Sequence, residues 1–217
     1  MNFIILADKY NKGMKSKGCL GLLKVQKRKN IFQFQYQNIK KAFPKCKIIY
    51  VYGFDNRRLE YFVKTNKHKD VTYLYNKDYD KYNFTQSIGI AKEYLKGNCF
   101  ITFGDIIFKH QIFEEFNLNI GSQVFVNKKT KNKLGCTLEN NQICNISFDL
   151  DNYLSNIYYI HKKDIQNFAE IISNDKYKNC FIFEIINKMI DNNKVFKTFI
   201  KNNKNIIQTL NEIKIKI

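Results

Sequence analysis

Gly104 and Asp105 close an apolar run, Asn98-Cys99-Phe100-Ile101-Thr102-Phe103, so a carboxylate stands at the carboxyl end of what reads as a buried strand. Open α/β sheets bind their ligands at that end. A hard divalent cation such as Mg²⁺ takes one or two carboxylates together with substrate phosphate oxygens. Alone, Asp105 reads first as a cap of the turn that follows. Its counterpart lies near the N-terminus, where Asn2-Phe3-Ile4-Ile5-Leu6 runs into a loop from Ala7 to Gly21 that carries Lys9, Lys12, Lys15 and Lys17 among Gly13, Gly18 and Gly21. Glycines let backbone N–H groups approach a phosphate and lysines neutralise its charge. The loop is neither a P-loop nor a Gly-x-Gly-x-x-Gly turn, and by itself it reads as a solvated basic segment. A third piece, Asn76 to Ser87, leads into the helix before the strand of Asp105. Asn83 fits as the N-cap of that helix, and a helix N-terminus beside a crevice also suits a polar or anionic ligand. Asp105 and the basic loop together point to chemistry on a nucleoside triphosphate.

Placing these groups side by side requires a sheet. Strands are expected at residues 2–7, 47–52, 70–75 and 98–103, alternating with helices. Phe32, Tyr36, Ile39 and Phe43 recur at helical spacing until Pro44, the only proline, and a second helix is expected near 55–64. Phe84, Ile88, Ala91 and Leu95 mark one helix running into the strand of Asp105. Beyond Asp105 the pattern changes to short strands near 122–127, 133–139, 142–148 and 154–160. Two helices follow, one marked by Ile165, Phe168, Ala169 and Ile172, the other by Ile182, Ile185, Ile186 and Met189, and strands near 195–200 and 204–208 end the pattern. The expected fold class is α/β, a mixed, mainly parallel sheet with helices on both faces. At 217 residues one domain is expected, with a nucleotide-binding half over 1–105 and an acceptor-side half over 106–217.

Composition narrows the class further. With 44% apolar residues there is ample material for a core. No run approaches the roughly 20 apolar residues of a membrane helix, and Asp8 and Lys9 interrupt the first apolar run where a signal peptide would continue. Cys19, Cys46, Cys99, Cys136, Cys144 and Cys180 are scattered without metal-binding spacing and read as small core residues in a reducing compartment, hence a cytoplasmic protein without membrane insertion. The net charge of +18 invites a nucleic-acid reading, but 34 of the 37 basic residues are lysines, and the exceptions are Arg28, Arg57 and Arg58. Arginine is favoured for bidentate base and phosphate contacts, no nucleic-acid-binding motif is present, and Lys, Asn, Ile, Tyr and Phe are all encoded by AT-rich codons. A nucleic-acid partner is therefore the lesser reading, a basic binding module its form. His68, His110 and His161 lack sequence partners and are expected at the surface. Glu184 faces solvent or an acceptor on its helix, and Asp149 and Asp151 are turn carboxylates or substitute metal ligands.

Ile5-Leu6-Ala7, the basic glycine-containing loop, Gly21-Leu22-Leu23-Lys24-Val25, Asn76 and Tyr79, Asn83, Ser87 and Gly104-Asp105 occur in an order and at separations that resemble the nucleotidyltransferases of the GT-A-like Rossmann fold, especially the sugar-phosphate and phosphocholine cytidylyl- and uridylyltransferases. The resemblance implies transfer of a nucleotidyl group from an NTP, CTP or UTP favoured, to a phosphorylated small molecule, with release of pyrophosphate, in glycan or surface-polymer assembly. It implies that Asp105 binds Mg²⁺, that Leu6, Ala7, Asp8, Gly13 and Gly104 contact the nucleotide, and that Asn83 and Ser87 lie near its base and ribose. The Gly-x-Gly-x-Arg signature of the family is replaced by Lys9, Asn11 and Gly13, and its Pro-Lys pair by Cys19 and Leu20. Lys15 and Lys17 are then expected to supply the catalytic positive charge. Thr209, Asn211 and Glu212 stand where a second metal-binding Asp is expected. An active enzyme is the preferred reading, and a nucleotide-binding relative that has lost turnover is the alternative.

Overall fold

The computed structural model describes residues 1–10, 15–26, 29–66, 68–127, 134–200 and 206–208. Gly13 and the Thr209–Glu212 region lie outside the described residues. The strands are β1 (Asn2–Ala7), β2 (Lys24–Gln26), β3 (Lys29–Asn30), β4 (Lys47–Tyr52), β5 (Val71–Tyr75), β6 (Cys99–Phe103), β7 (Ile106–Phe108), β8 (Ser122–Asn127), β9 (Leu134–Glu139), β10 (Gln142–Phe148), β11 (Tyr153–Ile160), β12 (Phe196–Ile200) and β13 (Ile206–Gln208). The α-helices are α1 (Ile31–Ala42), α2 (Asn56–Thr65), α3 (Phe84–Ile90), α4 (Ile165–Ser173) and α5 (Ile182–Asp191).

Nine strands form one sheet in the order β5-β4-β1-β6-β11-β8-β12-β10-β9. β1 pairs in parallel with both β4 and β6, β4 with β5, and β8 with β12. β11 and β10 run against their neighbours. The sheet is mixed and mainly parallel in strand direction, as the sequence pattern predicts.

Side-chain alternation along β1 distributes the core. Ile4 and Leu6 pack on one face with Ile88 of α3, Phe168 of α4 and Ile185 of α5. Phe3, Ile5 and Ala7 pack on the other with Phe32 and Ile39 of α1 and Leu59 of α2. Helices therefore cover both faces, and a strand buried on both faces reads as a continuous apolar run, which is what made β1, β4 and β6 visible. Asn30 starts α1 through a capping box: its side chain accepts from the Gln33 N–H at 2.8 Å while Gln33 Oε1 accepts from the Asn30 N–H at 3.2 Å.

Three expectations are corrected. The helix expected to run to Leu95 ends at Ile90 and continues as a 3₁₀ turn over Lys92–Tyr94, which still buries Ala91 and Leu95. His161 is not a surface residue: it is 3% exposed at the end of β11, where its N–H donates to Ser122 Oγ at 3.0 Å and Ser122 donates to Asp164 at 2.6 Å. Burial pushes its imidazole below the ordinary value, so the neutral ring is favoured. Cys144 is exposed, whereas Cys19, Cys46, Cys99 and Cys136 are buried core residues.

Candidate functional site

Parallel pairing of β1 with β6, Leu6 opposite Phe103, brings the carboxyl ends of the two strands together. The Gly104 N–H donates to Leu6 O at 2.8 Å, so the chain leaves β6 in contact with β1 and delivers Asp105 beside the first turn after Ala7. A cavity of about 210 Å³ opens there. Its polar wall consists of Lys9, Asp105 and Asn156. Most of the remainder is aromatic: Phe84, Phe103, Tyr158, Phe181 and Phe183. Leu6 lines the same cavity.

Of the described lysines in the loop, Lys9 is the one that lines the cavity, where the sequence reading favours Lys15 and Lys17. Its Nζ donates to Tyr79 O at 2.6 Å and to Tyr82 O, and lies 5.5 Å from the ring centroid of Phe84. Burial pushes its ammonium below the ordinary lysine value, opposed by the charges of Asp8 and Asp80. Lys15 and Lys17 lie elsewhere: they occupy an exposed 3₁₀ turn, Lys15 sits over the ring of Tyr10, and neither lines the cavity.

Asp8 and Ser87, two candidates for nucleotide contact, are both fully buried and bonded to each other. Ser87 Oγ and Asn76 Nδ2 donate to Asp8 Oδ2 at 2.7 and 2.8 Å, which ties the end of β1 to the end of β5 and to α3. Asp8 is thus an internal anchor beneath the site, and its Oδ1 is buried without a hydrogen-bond partner. Asn83 caps α3 as predicted, its Oδ1 accepting from the Phe84 N–H at 2.8 Å, and its Nδ2 reaches Asn179 O at 3.3 Å. Ala7 is buried against Gly104.

Burial raises the Asp8 carboxyl above its ordinary value of 3.8, and the hydrogen bonds from Ser87 and Asn76 and the charge of Lys9 act against that rise. The native state therefore holds this proton more tightly than the unfolded chain does. That stability is present below the unfolded value and is lost as pH rises through the folded one. Asp8→Asn, which keeps the shape and an acceptor without the charge, should gain thermal stability relative to wild type as pH is raised from acid to neutral. Asp8→Ala leaves Asn76 and Ser87 without their partner and should melt lower at every pH. Melting curves across that pH range check both statements, and a pH-independent difference between Asp8→Asn and wild type contradicts the first.

Asn156 comes from a local irregularity. The pairing of β11 with β8 shifts register between Leu154 and Tyr158, and Asn156 within that stretch has φ +55. Such bulges re-aim a side chain, and Asn tolerates the left-handed region. Tyr158 Oη lies 3.2 Å from Asn156 Oδ1, and Thr102 donates to the Asn156 carbonyl at 3.0 Å, so side chain and backbone are both held. An Asn inside the apolar run Tyr153–Ile160 was the one sequence sign of it. Glu184 is exposed and serves its own helix, its carboxylate accepting from the Phe181 N–H at 2.6 Å to cap α5. Asp149 and Asp151 are exposed around the turn between β10 and β11 and do not line the cavity.

The donor set fits a hard cation held by one carboxylate. Asp105 is partly exposed at the cavity wall. Among the described residues no cluster of three or more His, Cys, Asp or Glu side chains could hold a metal. A Mg²⁺ ion here would take its remaining oxygens from substrate phosphates and water.

Among the described residues, no helix is long and apolar enough to cross a membrane. No protein-family model and no curated protein matches the chain. Solved structures do. The CTP:phosphocholine cytidylyltransferase of Streptococcus pneumoniae superposes with a TM-score of 0.78 at 14% identity, covering 97% of this chain and 94% of that one. The inositol-1-phosphate CTP transferase of T. maritima gives 0.77 at 17% identity, with 98% and 91% covered. The nucleoside-diphosphate-sugar pyrophosphorylase of Vibrio cholerae RC9 gives 0.74 at 11%, with 96% and 95% covered. The likeness spans nearly the whole of each chain, and this protein shares the mixed α/β fold of these three structures.

Proposed function

We propose that this protein is a Mg²⁺-dependent nucleotidyltransferase that moves a nucleotidyl group from an NTP, CTP or UTP favoured, to a phosphorylated small molecule. The observation that carries the reading is the carboxylate of Asp105 in a cavity at the joined carboxyl ends of β1 and β6, on a fold shared with enzymes of this reaction type. An oxygen of the acceptor phosphate forms a bond to the α-phosphorus, the bond to the bridging oxygen breaks, and pyrophosphate leaves with that electron pair. Mg²⁺ held by Asp105 supplies charge neutralisation when bound. The chain contributes alignment: the close approach of Ala7 to Gly104 joins the ends of β1 and β6 beside the cavity, and Phe84 at the start of α3, a helix pinned by Ser87 to Asp8, lines one side of it.

The cavity also favours one kind of acceptor. A hexose brings a ring of hydroxyl groups, and Lys9, Asp105 and Asn156 are the main polar groups to meet them. Hydroxyls buried without partners lose affinity. The faces of Phe84, Phe103, Tyr158, Phe181 and Phe183 suit a weakly hydrated end instead, alkyl or quaternary ammonium. Phe181 is 45% exposed and stacks on Phe183 at 5.7 Å, an apolar rim open to such a ligand. This reading takes phosphocholine-like acceptors over sugar phosphates, acting in surface-polymer assembly in the cytoplasm. Pyrophosphate release with each NTP against phosphocholine, ethyl phosphate, glucose 1-phosphate and inositol 1-phosphate, with and without Mg²⁺, tests it. Metal-dependent turnover with the first two at least about tenfold above the others is expected; turnover confined to the sugar phosphates overturns the acceptor assignment, and no turnover with any pair leaves a nucleotide-binding relative.

A further inference from the structure

We infer that Asn156 is the residue that selects the acceptor, by donating its amide N–H groups to the acceptor phosphate and by closing the cavity to a ring-bearing substituent, and that Tyr158 positions it. The inference rests on the nucleotidyltransferase reading for the identity of the acceptor, and on geometry for the rest.

The order of the sheet puts Asn156 on the other side of Asp105 from the loop after β1. β6 lies between β1 and β11. In the antiparallel pairing of β11 with β6, Ile157 stands opposite Thr102, so Asn156 reaches the cavity next to the carboxyl end of β6, which delivers Asp105. With the nucleotide on the β1 side, the β11 side is left for the acceptor. The side chain of Asn156 is open to a ligand and fixed in place. Tyr158 Oη donates to Asn156 Oδ1 at 3.2 Å, and among the described residues no hydrogen bond engages Nδ2. Tyr158 is 1% exposed and burial pushes its phenol above the ordinary value, so it keeps its proton and stays a donor. An amide whose oxygen is committed in this way keeps two N–H groups for a ligand in the cavity that the residue lines. An anionic phosphate oxygen is the strongest partner for them.

The backbone adds the second half of the argument. Asn156 has φ +55 inside the register shift between Leu154 and Tyr158, a conformation open to Asn and Gly and strained for most other residues. Thr102 Oγ1 donates to its carbonyl at 3.0 Å. With backbone and carboxamide both tied, the side chain cannot swing away from an incoming ligand, and a substituent that overlaps it is rejected. Glycine at this position keeps the backbone and removes the obstacle, so the decisive substitution does not strain the bulge.

Three variants of the full chain separate the contributions. In Asn156→Gly the preference in kcat/KM for phosphocholine over glucose 1-phosphate should fall at least about tenfold, because the sugar gains space, while the KM for the NTP stays within about twofold of wild type. Asn156→Asp keeps the shape and tolerates the same φ but sets a carboxylate against the acceptor phosphate, and its KM for phosphocholine should rise at least about tenfold. Tyr158→Phe keeps the aromatic face and loses only the hydroxyl. It should raise the phosphocholine KM at least about threefold when Asn156 is present and leave it unchanged in Asn156→Gly, a non-additivity that a merely structural tyrosine does not produce. Calorimetric titration with phosphocholine, in Mg²⁺ and the α,β-methylene analogues of CTP and UTP in turn, reads the acceptor affinities without turnover. Wild-type acceptor preference in Asn156→Gly overturns the inference, as does a loss that falls on the NTP instead of the acceptor, or equal phosphocholine affinity in Asn156→Asp and wild type. Equal effects of Tyr158→Phe in both backgrounds remove its positioning role. The two readings fail separately: phosphocholine binding that weakens in Asn156→Asp, without turnover on any NTP, removes the enzyme but keeps the acceptor site, whereas turnover with unchanged preference in Asn156→Gly removes the role of Asn156 but keeps the enzyme. Wild-type protein that neither binds nor turns over phosphocholine removes both.

Discussion

Asp105→Asn is expected to lower kcat by about a thousandfold while leaving the melting temperature within about 3 °C of wild type. The substitution keeps the size of the side chain and one carbonyl-type oxygen, and removes the formal charge that holds a divalent cation beside the triphosphate. Asp105 sits at a turn on the cavity wall, partly exposed, so its replacement creates no void in the core. The expected loss is therefore in turnover, and raising Mg²⁺ should recover little of it. Asp149→Asn, in the β10–β11 turn and outside the cavity lining, is expected to keep wild-type rates, which separates a specific metal ligand from a general reduction in negative charge. Steady-state pyrophosphate release by the two variants checks both expectations, and wild-type turnover in Asp105→Asn would remove the assignment.

Asp105 was legible because the sequence marks it twice, by the apolar run that delivers it and by the glycine before it. β1, β4 and β6 were legible for the same reason: a strand covered on both faces needs no alternation to be recognised. The later strands were found from their turn residues, and their order in the sheet was not, because β11 enters beside β6 only through pairings more than fifty residues apart. Lys9 was named only as one of four lysines in the loop after β1. Nothing local distinguishes it from Lys15 or Lys17, and what does, the carbonyls of Tyr79 and Tyr82, is set by tertiary structure. Asn156 was hidden for a related reason: the period of β11 reads through it, and the register shift that turns it into the cavity arises in the pairing with β8. Asp8 was placed correctly along the chain but with the wrong orientation. A polar residue directly after a buried strand can face the crevice or the core, and the hydrogen bonds from Asn76 and Ser87 decide for the core.

Gly104→Ala should be the most damaging single methyl group in the site. A Cβ at that position lies 2.4 Å from Ala7 Cβ and 2.9 Å from Ala7 Cα. The obstacle is the Ala7 methyl and the main chain that bears it, in the middle of the sheet, and not the end of a flexible side chain, so it has no rotamer into which to retreat. Relief requires β1 and β6 to part where the Gly104 N–H meets Leu6 O at 2.8 Å, which shifts both Ala7 and Asp105. Overpacking of this kind costs about 3 kcal/mol, a fall of roughly 6–12 °C in melting temperature for a chain of this size. Because the same shift displaces Asp105 relative to the end of β1, turnover should fall by about a hundredfold even at temperatures where the variant is folded. Most of the contact is with the Ala7 methyl, so Ala7→Gly/Gly104→Ala should recover a large part of the stability, and the coupling between the two positions should exceed about 1 kcal/mol in a double-mutant cycle. Additive effects in that cycle would mean that the two strands tolerate the added methyl by moving elsewhere, and that the close approach of Ala7 to Gly104 is not what fixes Asp105 against β1.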